Sequence, residues 1–222
     1  MRNRLFVLIA LAIPFFFSCT EGDIEAADLI ACGVFDTSTH FCDSRDGRLY
    51  KFTKKTPDSK IWMAENLNFE PSDGESMCYN DKQENCNMYG RLYSWNERDV
   101  ICPNGWRMPN GVDWQLLEDE ASDDELKARN GWDAYDGKSG NGQDGFGFAA
   151  LPGGAYRANY HADKDFFEDD CSDEVFSEWG SLGKIAVFMD ASTKYSFIIS
   201  NDPKLRYCVS MDALVSVRCI KE

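Results

Sequence analysis

The stretch Cys102-Pro-Asn-Gly-Trp-Arg-Met-Pro-Asn-Gly-Val-Asp-Trp-Gln-Leu-Leu117 contains a helix start that can be read residue by residue. Asn110 follows a proline, and the side chain of an N-cap asparagine accepts backbone N–H groups of the first helical turn. Asp113 stands three residues later, where the acid of a capping box binds the backbone N–H of the cap residue. We therefore predict a helix that starts after Asn110. Its buried face is expected to hold Trp114, Leu117 and Ala121.

Cys102 has an expected partner near the other end of the domain, Cys219 in the segment Ser216-Val-Arg-Cys219. The chain has nine cysteines, and eight remain if Cys19 is acylated, as argued below. An even number of cysteines in an exported chain predicts a disulfide framework. Proximity along the chain and closure of the domain ends favour the pairs Cys32–Cys42, Cys78–Cys86, Cys102–Cys219 and Cys171–Cys208.

Metal and redox chemistry at these cysteines is not expected. The sequence has no Cys-x-x-Cys motif and only two histidines, His40 and His161. A structural zinc site needs four ligands at characteristic spacings, and a thioredoxin-like site needs two closely spaced cysteines. Neither pattern is present.

The N-terminus is similar to a bacterial export signal. Arg2 and Arg4 precede an apolar run over residues 5–17, which is too short for a bilayer span of about 20 residues. Cys19 directly follows a small residue, as in a lipobox, whose cysteine is acylated. We predict a signal peptide over residues 1–18 and a lipid anchor on Cys19 that attaches the chain to a membrane. Because Thr20 is not aspartate, the outer membrane or cell surface is the expected location.

The chain is strongly acidic, with 38 acidic and 23 basic residues and a formal net charge of −15. No basic cluster in the sequence interrupts this acidity, and a negative surface repels the phosphates of nucleic acids. DNA and RNA are therefore excluded as expected partners. Solubility is the simplest explanation of the charge.

Beyond an acidic leader over residues 19–45 with a small Cys32–Cys42 loop, residues 46–222 are expected to form one domain. Alternating and apolar runs predict strands, and residues 130–145, rich in glycine, predict turns. The two runs 48–52 and 61–64 are expected to form a hairpin. Further strands are expected at 146–154, 185–189, 195–199, 205–210 and 214–220. The predicted fold class is α+β, with antiparallel strands, one or two helices and disulfide bonds.

Five blocks of this chain resemble, in order and spacing, the Fibrobacter succinogenes major paralogous domain, from about Asp46 to Glu222. The blocks are Ile61-Trp-Met-Ala-Glu-Asn-Leu-Asn68, Tyr89-Gly-Arg-Leu-Tyr-Ser-Trp95, Cys102-Pro-Asn-Gly-Trp-Arg-Met-Pro109, Phe148-Ala-Ala-Leu-Pro-Gly-Gly154 and Ser216-Val-Arg-Cys219. The resemblance implies an exported bacterial surface module, often part of a lipoprotein, whose biochemical role is not established.

More distantly, the segment from Trp106 to Trp114 resembles a block of the formylglycine-generating, or sulfatase-modifying, enzymes. Their fold is related to C-type lectins, so the resemblance implies a lectin-like mixed fold. These oxidases hold copper with two nearby cysteines close to the end of the chain. Here Cys208 and Cys219 are eleven residues apart, and a Cys102–Cys219 bond would leave no thiolate pair for copper.

Two sets of acidic and amide residues are weak candidates for calcium, which prefers oxygen ligands. Neither set has the spacing of an EF-hand loop, and a solvated turn is the simpler interpretation of both. The first set is Asp133, Asp136, Asn141 and Asp144. The second set is Glu168-Asp-Asp170, Asp173 and Glu174. No other cofactor is expected.

Aromatic residues in polar loops are candidates for contact with a sugar, whose apolar faces stack on aromatic rings. Four of these residues lie in the loops 130–145 and 157–180, and one immediately precedes the second loop. The alternative interpretation is that these aromatic side chains pack against the loops. The candidates are Trp132, Tyr135, Tyr156, Tyr160 and Trp179.

No catalytic residue is expected, because the sequence contains neither Gly-x-Ser-x-Gly nor His-Glu-x-x-His. The favoured function is a non-catalytic, lipid-anchored surface module that binds a polysaccharide or a protein partner. Two alternatives remain open: an enzyme related to the formylglycine-generating oxidases, and an envelope protein without a small ligand.

Overall fold

The structure is a computed structural model that describes residues 32–161, 179–193, 197–202 and 206–221, with the backbone alone for 158–161 and 206–211. Several predictions lie outside the described residues. They are the signal peptide, Cys19, the Cys171–Cys208 pair, the second acidic set and the side chain of Tyr160.

The described elements are mostly short strands, with three α-helices and two single 3₁₀ turns at Tyr79–Asp81 and Trp95–Glu97. In chain order they are β1 (His40–Asp43), β2 (Arg48–Thr53), β3 (Trp62–Met63), β4 (Ser76–Met77), α1 (Gln83–Tyr89), β5 (Leu92–Ser94), β6 (Trp106–Arg107), α2 (Gly111–Glu120), α3 (Asp123–Leu126), β7 (Ala155–His161), β8 (Trp179–Gly180), β9 (Ile185–Phe188), β10 (Phe197–Ser200), β11 (Arg206–Ser216) and β12 (Ile220–Lys221).

The first sheet has five antiparallel strands in the order β1-β2-β3-β12-β6. β2 and β3 form the predicted hairpin across a polar connection. β1 lies in the segment expected to be the leader, and it pairs with β2 along its whole length. β12, the last described strand, lies between β3 and β6.

The second sheet has seven strands with the path β10-β9-β11-β5-β4, and β7 joins β11 to β8. β11 is one continuous strand where the sequence predicted two, at 205–210 and 214–220. Its pairing with β7 shifts register between Val209 and Leu214, so a bulge takes up the residues that were expected to separate the strands. Antiparallel pairing dominates both sheets, which confirms the α+β class, with one helix more than predicted.

Helix α2 begins as predicted. The Asn110 side chain accepts the N–H groups of Val112 at 3.0 Å and Asp113 at 3.1 Å. The Asp113 carboxylate accepts the Asn110 N–H at 2.9 Å, which completes the capping box. The predicted inner residues of the helix, Trp114, Leu117 and Ala121, are buried.

Aromatic rings connect α2 to both sheets. Trp62 of β3 lies 4.7 Å from Trp114, measured between ring centroids, and 5.8 Å from Phe148. Trp114 also stacks on Phe197 of β10 at 4.7 Å. The helix therefore contacts both sheets. The Trp114 ring belongs to a hydrophobic cluster that includes residues of each sheet.

Residues 146–154 do not form the predicted strand. They make a turn followed by isolated bridges at Ala150 and Gly154. Gly147 has φ +70° and Ala149 has φ +50°, and these left-handed conformations do not fit a strand. Arg218 takes the place of a paired strand here, because its guanidinium donates to the carbonyls of Phe148 and Ala149.

Three disulfide bonds are present among the described residues, and each joins a pair expected from the sequence. Cys32–Cys42 and Cys78–Cys86 close short segments, with Cα atoms 5.9 and 4.9 Å apart. Cys102–Cys219 joins residues 117 positions apart, with Cα atoms 5.9 Å apart. Of the helices within the described part of the chain, none has both the length and the apolar character that a membrane crossing requires.

Candidate functional site

An open groove of about 290 Å³ lies between β2, residues 65–68 and the end of α1. We call it the amide groove, because asparagine side chains line it together with charged and aromatic groups. The lining side chains that matter here are Arg48, Glu65, Asn66, Asn68, Asn87 and Tyr89. Most of them belong to the two sequence blocks that begin at Ile61 and Tyr89, or to the helix between those blocks.

Two asparagines fasten one wall of the amide groove to α1. The amide of Asn66 donates to the carbonyl of Tyr89 at 2.7 Å, and that of Asn68 donates to the carbonyl of Cys86 at 2.9 Å. The last carbonyls of a helix have no donor within the helix, and the Asn66 amide supplies one for Tyr89. The Cys86 carbonyl accepts both the Gly90 N–H, at 3.0 Å, and the Asn68 amide. The wall and the helix end are thereby held in one geometry.

Tyr50 is also hydrogen-bonded to the wall formed by residues 65–68. Its hydroxyl accepts the backbone N–H of Asn68 at 3.0 Å. Burial raises the pKa of Tyr50 to about 12, so the phenol is neutral at physiological pH. Tyr50 therefore acts as a hydrogen-bonding group in this groove and is not positioned as a base.

Gly90 lets the chain leave α1 beside this wall. It has φ +79°, and a Cβ atom at this position would lie 2.7 Å from both the Asn66 Cβ and the Leu67 carbonyl oxygen. Glycine adopts this conformation without a steric penalty. The close approach of the helix end to residues 66–67 therefore depends on the missing side chain.

The Cys78–Cys86 bond holds α1 from the other side. Arg91 points its guanidinium at both sulfurs, at 3.5 and 3.6 Å, and forms an ion pair with Glu70. Residue 86 is thus fixed by a covalent bond and by the Asn68 amide. The predicted disulfide has a local role, since it anchors the helix that forms one side of the groove.

The open side of the amide groove offers mixed chemistry. Met88 is 62% exposed, Asn87 and Arg48 are exposed, and Tyr89 is half-buried, which raises the pKa of its hydroxyl. Amides and a neutral phenol donate to and accept from hydroxyl groups, and methionine offers apolar contact. This combination suits a ligand that has both hydroxyl edges and apolar faces.

The amide groove lacks the groups of a hydrolytic site. Its twelve lining residues include no serine or histidine, and its one cysteine, Cys86, is in a disulfide. Glu65 is its one carboxylate, and it accepts the backbone N–H of Lys51 at 2.9 Å. Glycosidases generally use a pair of carboxyl groups, and this groove presents one.

A second groove, of about 540 Å³, lies between β1, β2 and residues 53–55. We call it the lysine groove after its basic residues. The expectation that no basic cluster interrupts the acidity is wrong here, because Lys51, Lys54 and Lys55 lie within five residues of the sequence. Strand pairing places residues 38–40 beside them and so forms the groove. Its polar lining consists of Ser38, Thr39, His40, Lys51, Thr53, Lys54 and Lys55.

Trp132, predicted as a ligand contact, is instead part of the core. Its side chain is 6% exposed, and the indole N–H donates to the carbonyl of Ala150 at 3.0 Å. The glycine-rich loop folds tightly over it, since a Cβ on Gly140 would lie 3.2 Å from the Trp132 Cβ. The alternative use, packing beneath the loop, is the one that the structure shows for this residue.

Of the other predicted aromatic contacts with described side chains, Tyr156 and Trp179 lie together. Tyr135 is 36% exposed in the loop 130–145. Trp179 lies 5.1 Å from both Tyr79 and Tyr156, measured between ring centroids, in a small cluster under β7 and β8. Trp132 belongs to a different hydrophobic cluster from Tyr156 and Trp179.

The first calcium candidates do not form a cluster of carboxylates. The side chain of Asn141 accepts the N–H of Trp132 at 3.0 Å, and that of Asp144 accepts the N–H of Ala149 at 2.9 Å. In the part of the chain that the structure describes, no group of three or more histidine, cysteine, aspartate or glutamate residues could hold a metal ion. Asn141 and Asp144 serve the loop backbone.

The comparisons with known proteins give one match. A model of the family described as the Fibrobacter succinogenes major domain matches residues 58–221. No curated protein and no solved structure matches significantly, so the lectin-like resemblance stays a prediction. The matched span includes most of the amide groove, whereas the lysines of the second groove precede it.

Proposed function

The chain belongs to the Fibrobacter succinogenes major domain family, and from this premise we propose that it is a non-catalytic, lipid-anchored surface module that binds a polysaccharide in the amide groove. Family membership supports a surface-associated protein in general terms. The lipid anchor, the outer-membrane location and the ligand are parts of the proposal.

Export is supported by two independent features. The N-terminal sequence has the order of a lipoprotein signal, with Cys19 at its end. The described residues contain three disulfide bonds, and such bonds persist in oxidising compartments such as the periplasm and the cell surface. Together they favour a folded domain outside the cytoplasm.

The amide groove is the observation that carries the binding proposal. The lining side chains that keep exposed surface suit a sugar chain, which presents hydroxyl groups and apolar faces at once; they include Asn68, Asn87, Met88 and Tyr89. Asn66 and Asn68 are fixed by bonds to the helix end, so the wall is ordered before a ligand arrives. An open groove also admits the interior of a long polymer, where a closed cavity admits single molecules or chain ends.

The same site supports a binding role over an enzymatic one. Glu65 has no second lining carboxylate to act with it. Cys219, which the distant oxidase resemblance would use as a copper ligand, is bonded to Cys102. A bonded sulfur is not a thiolate and does not ligate copper as one. The proposal therefore includes no catalytic residue and no cofactor.

Binding to a panel of plant and bacterial polysaccharides, measured by affinity electrophoresis and calorimetry, tests the proposal. The double variant Asn87→Ala/Met88→Ala removes two exposed side chains of the groove, and we expect about tenfold weaker binding, which corresponds to about 1.4 kcal/mol. The matched control is Val112→Ala/Leu116→Ala, which truncates two exposed residues of α2 outside both grooves. Equal losses in both variants, or no binding to any polysaccharide, would contradict the proposed site.

A further inference from the structure

The lysine groove leads to a more specific ligand. We propose that the polysaccharide is anionic and that its acidic groups bind to Lys51, Lys54 and Lys55 while the sugar chain continues into the amide groove. This inference rests on the proposed function and adds the charge of the ligand to it.

The composition of the lysine groove departs from that of the chain. None of its ten lining residues is aspartate or glutamate, in a protein with 38 acidic residues. The three lysines are exposed, and among the ion pairs of the described residues none involves them. The groove is therefore a local positive surface on a negative protein.

The three lysines lie within five residues of the chain, with Lys51 in β2 and Lys54 and Lys55 directly after it. Pairing of β1 with β2 adds residues 38–40 as the other side of the groove, with His40 opposite Lys51. Three ammonium groups within five residues repel one another. A bound anion would offset that repulsion, because it supplies negative charge beside them.

Two acidic residues that stand close to the groove lining in sequence, Asp36 before Ser38 and Glu65 beside Ala64, are already engaged elsewhere. Asp36 accepts hydrogen bonds from the hydroxyls of Ser38, at 2.6 Å, and Thr39, at 3.1 Å, and it does not line the groove. Glu65 binds the backbone N–H of Lys51 and lines the amide groove. Neither carboxylate makes an ion pair with the three lysine ammonium groups.

The two grooves adjoin each other along the same two segments. Leu49 lines the amide groove, and Lys51, two residues further along β2 and therefore on the same face of the strand, lines the lysine groove. Glu65 lines the amide groove and its neighbour Ala64 lines the lysine groove. An extended polymer that lies along this face of β2 therefore passes from one groove into the other.

Charge selection follows from this arrangement. A protein with a net charge of −15 repels an acidic polymer over most of its surface. Attraction confined to one groove therefore fixes where and in which register such a polymer binds.

Two pairs of polymers with matched backbones test the inference on the full-length protein in detergent. One pair is polygalacturonic acid and its methyl ester, and the other is carboxymethyl cellulose and hydroxyethyl cellulose. We expect at least one acidic polymer to bind about tenfold more tightly than its neutral counterpart at low salt, with the difference shrinking at high salt. The triple variant Lys51→Gln/Lys54→Gln/Lys55→Gln should remove most of that difference.

The control is Lys138→Gln/Lys184→Gln/Lys221→Gln, which removes the same charge from exposed lysines outside both grooves. Equal effects of the two triple variants would overturn the inference, because net charge alone would explain the preference. Neutral polymers that bind as tightly as acidic ones, with no effect of Lys51, Lys54 and Lys55, would overturn the inference and leave the proposed function standing. Lysine-dependent binding confined to inorganic phosphate or to vesicles with phosphatidylglycerol would overturn both.

Discussion

Arg218 is completely buried, and its partners are neutral groups. Its guanidinium donates to the side-chain oxygen of Asn66 at 2.8 Å and to the carbonyl of Ala149 at 2.9 Å. It also lies 4.4 Å from the Phe148 ring centroid. Burial lowers the pKa of Arg218 to about 9, with Glu65 and Asp144 acting in the opposite direction, so the group stays charged at neutral pH. One side chain thus ties the amide groove to the turn at residues 146–150.

Asp113 is a buried carboxylate with several donors. Arg107 donates to its two oxygens at 2.6 and 3.1 Å, Lys60 forms a second ion pair with it, and the Asn110 N–H completes the set. Burial alone would raise the pKa of Asp113. The bonds from Arg107, Asn110 and Lys60 outweigh burial and hold the pKa well below its usual value.

We predict that Asp113→Asn lowers the free energy of unfolding by about 3 kcal/mol at pH 7, because two cations lose their buried partner. Since the folded pKa is below the unfolded one, this stabilisation is complete above pH about 4 and declines as the pH falls further. Urea unfolding of both proteins between pH 7 and pH 2 measures the difference, which should shrink below pH 4.

Asp119→Asn, an exposed position on the same helix, is the control and should cost about 0.5 kcal/mol or less at every pH. A difference between the wild type and Asp113→Asn that stayed constant down to pH 2 would rule out the ionised carboxylate as its source.

At the scale of elements, the end of α1 forms one side of the amide groove, and Gly90 sets how closely it approaches residues 66–67. We predict that Gly90→Ala lowers the free energy of unfolding by about 3 kcal/mol, because the substitution adds a steric clash to an unfavourable φ. Gly137→Ala should cost about 1 kcal/mol, since Gly137 also has positive φ but has no atom within 4 Å of an added Cβ. Thermal and urea unfolding measure both values.

The two glycine variants distinguish backbone strain from a steric clash with residues 66–67. Equal losses in Gly90→Ala and Gly137→Ala would show that backbone strain alone matters and that α1 can move away from the wall. A larger loss at Gly90, together with weaker polysaccharide binding, is the result that the groove geometry requires.

Elements with local signals were predictable from the sequence. The capping box at Asn110 and Asp113 is complete within four residues, and the hairpin of β2 and β3 needs only two apolar runs and a polar connection. The turn at 146–150 was not predictable in this way. Its apolar residues have the composition of a strand, and the guanidinium that binds its carbonyls comes from Arg218, about 70 residues away.

The candidate site was predictable only in part. Asn66, Asn68 and Tyr89 lie in blocks that the family resemblance singled out, but their convergence depends on the approach of α1. The lysines of the lysine groove lie within five residues of the sequence, whereas its other side, residues 38–40, depends on the register of β1 and β2. Trp132 has polar neighbours in sequence and was therefore expected at the surface, yet the glycines around it let the loop close over the ring.

At the scale of the whole molecule, the three disulfides differ in the length of chain that they close. Cys102–Cys219 joins residues 117 positions apart, whereas Cys78–Cys86 joins residues eight apart. Loop-closure entropy makes the longer cross-link the more stabilising one, by about 2 kcal/mol. We predict that Cys102→Ala/Cys219→Ala lowers the free energy of unfolding by about that much more than Cys78→Ala/Cys86→Ala.

Denaturant unfolding of the oxidised proteins compares the two variants directly. Cys78→Ala/Cys86→Ala should weaken polysaccharide binding more than Cys102→Ala/Cys219→Ala does, because Cys86 lines the amide groove and Cys102 and Cys219 do not. If the short-loop variant lost more stability and bound polysaccharide normally, neither disulfide would have the role that its position indicates.

The position of β12 has a consequence for how the chain acquires its structure. A chain that leaves a ribosome or a translocation pore does so with its N-terminus first, so β3 and β6 emerge long before the strand that lies between them. Arg218 binds Asn66, and Cys219 is bonded to Cys102. Both residues emerge together with β12, after the segments to which they bind. Completion of the first sheet therefore waits for residues 218–221. Until β12 arrives, β3 and β6 lack the strand that joins them, so the first sheet can close only after almost the whole of the domain is available.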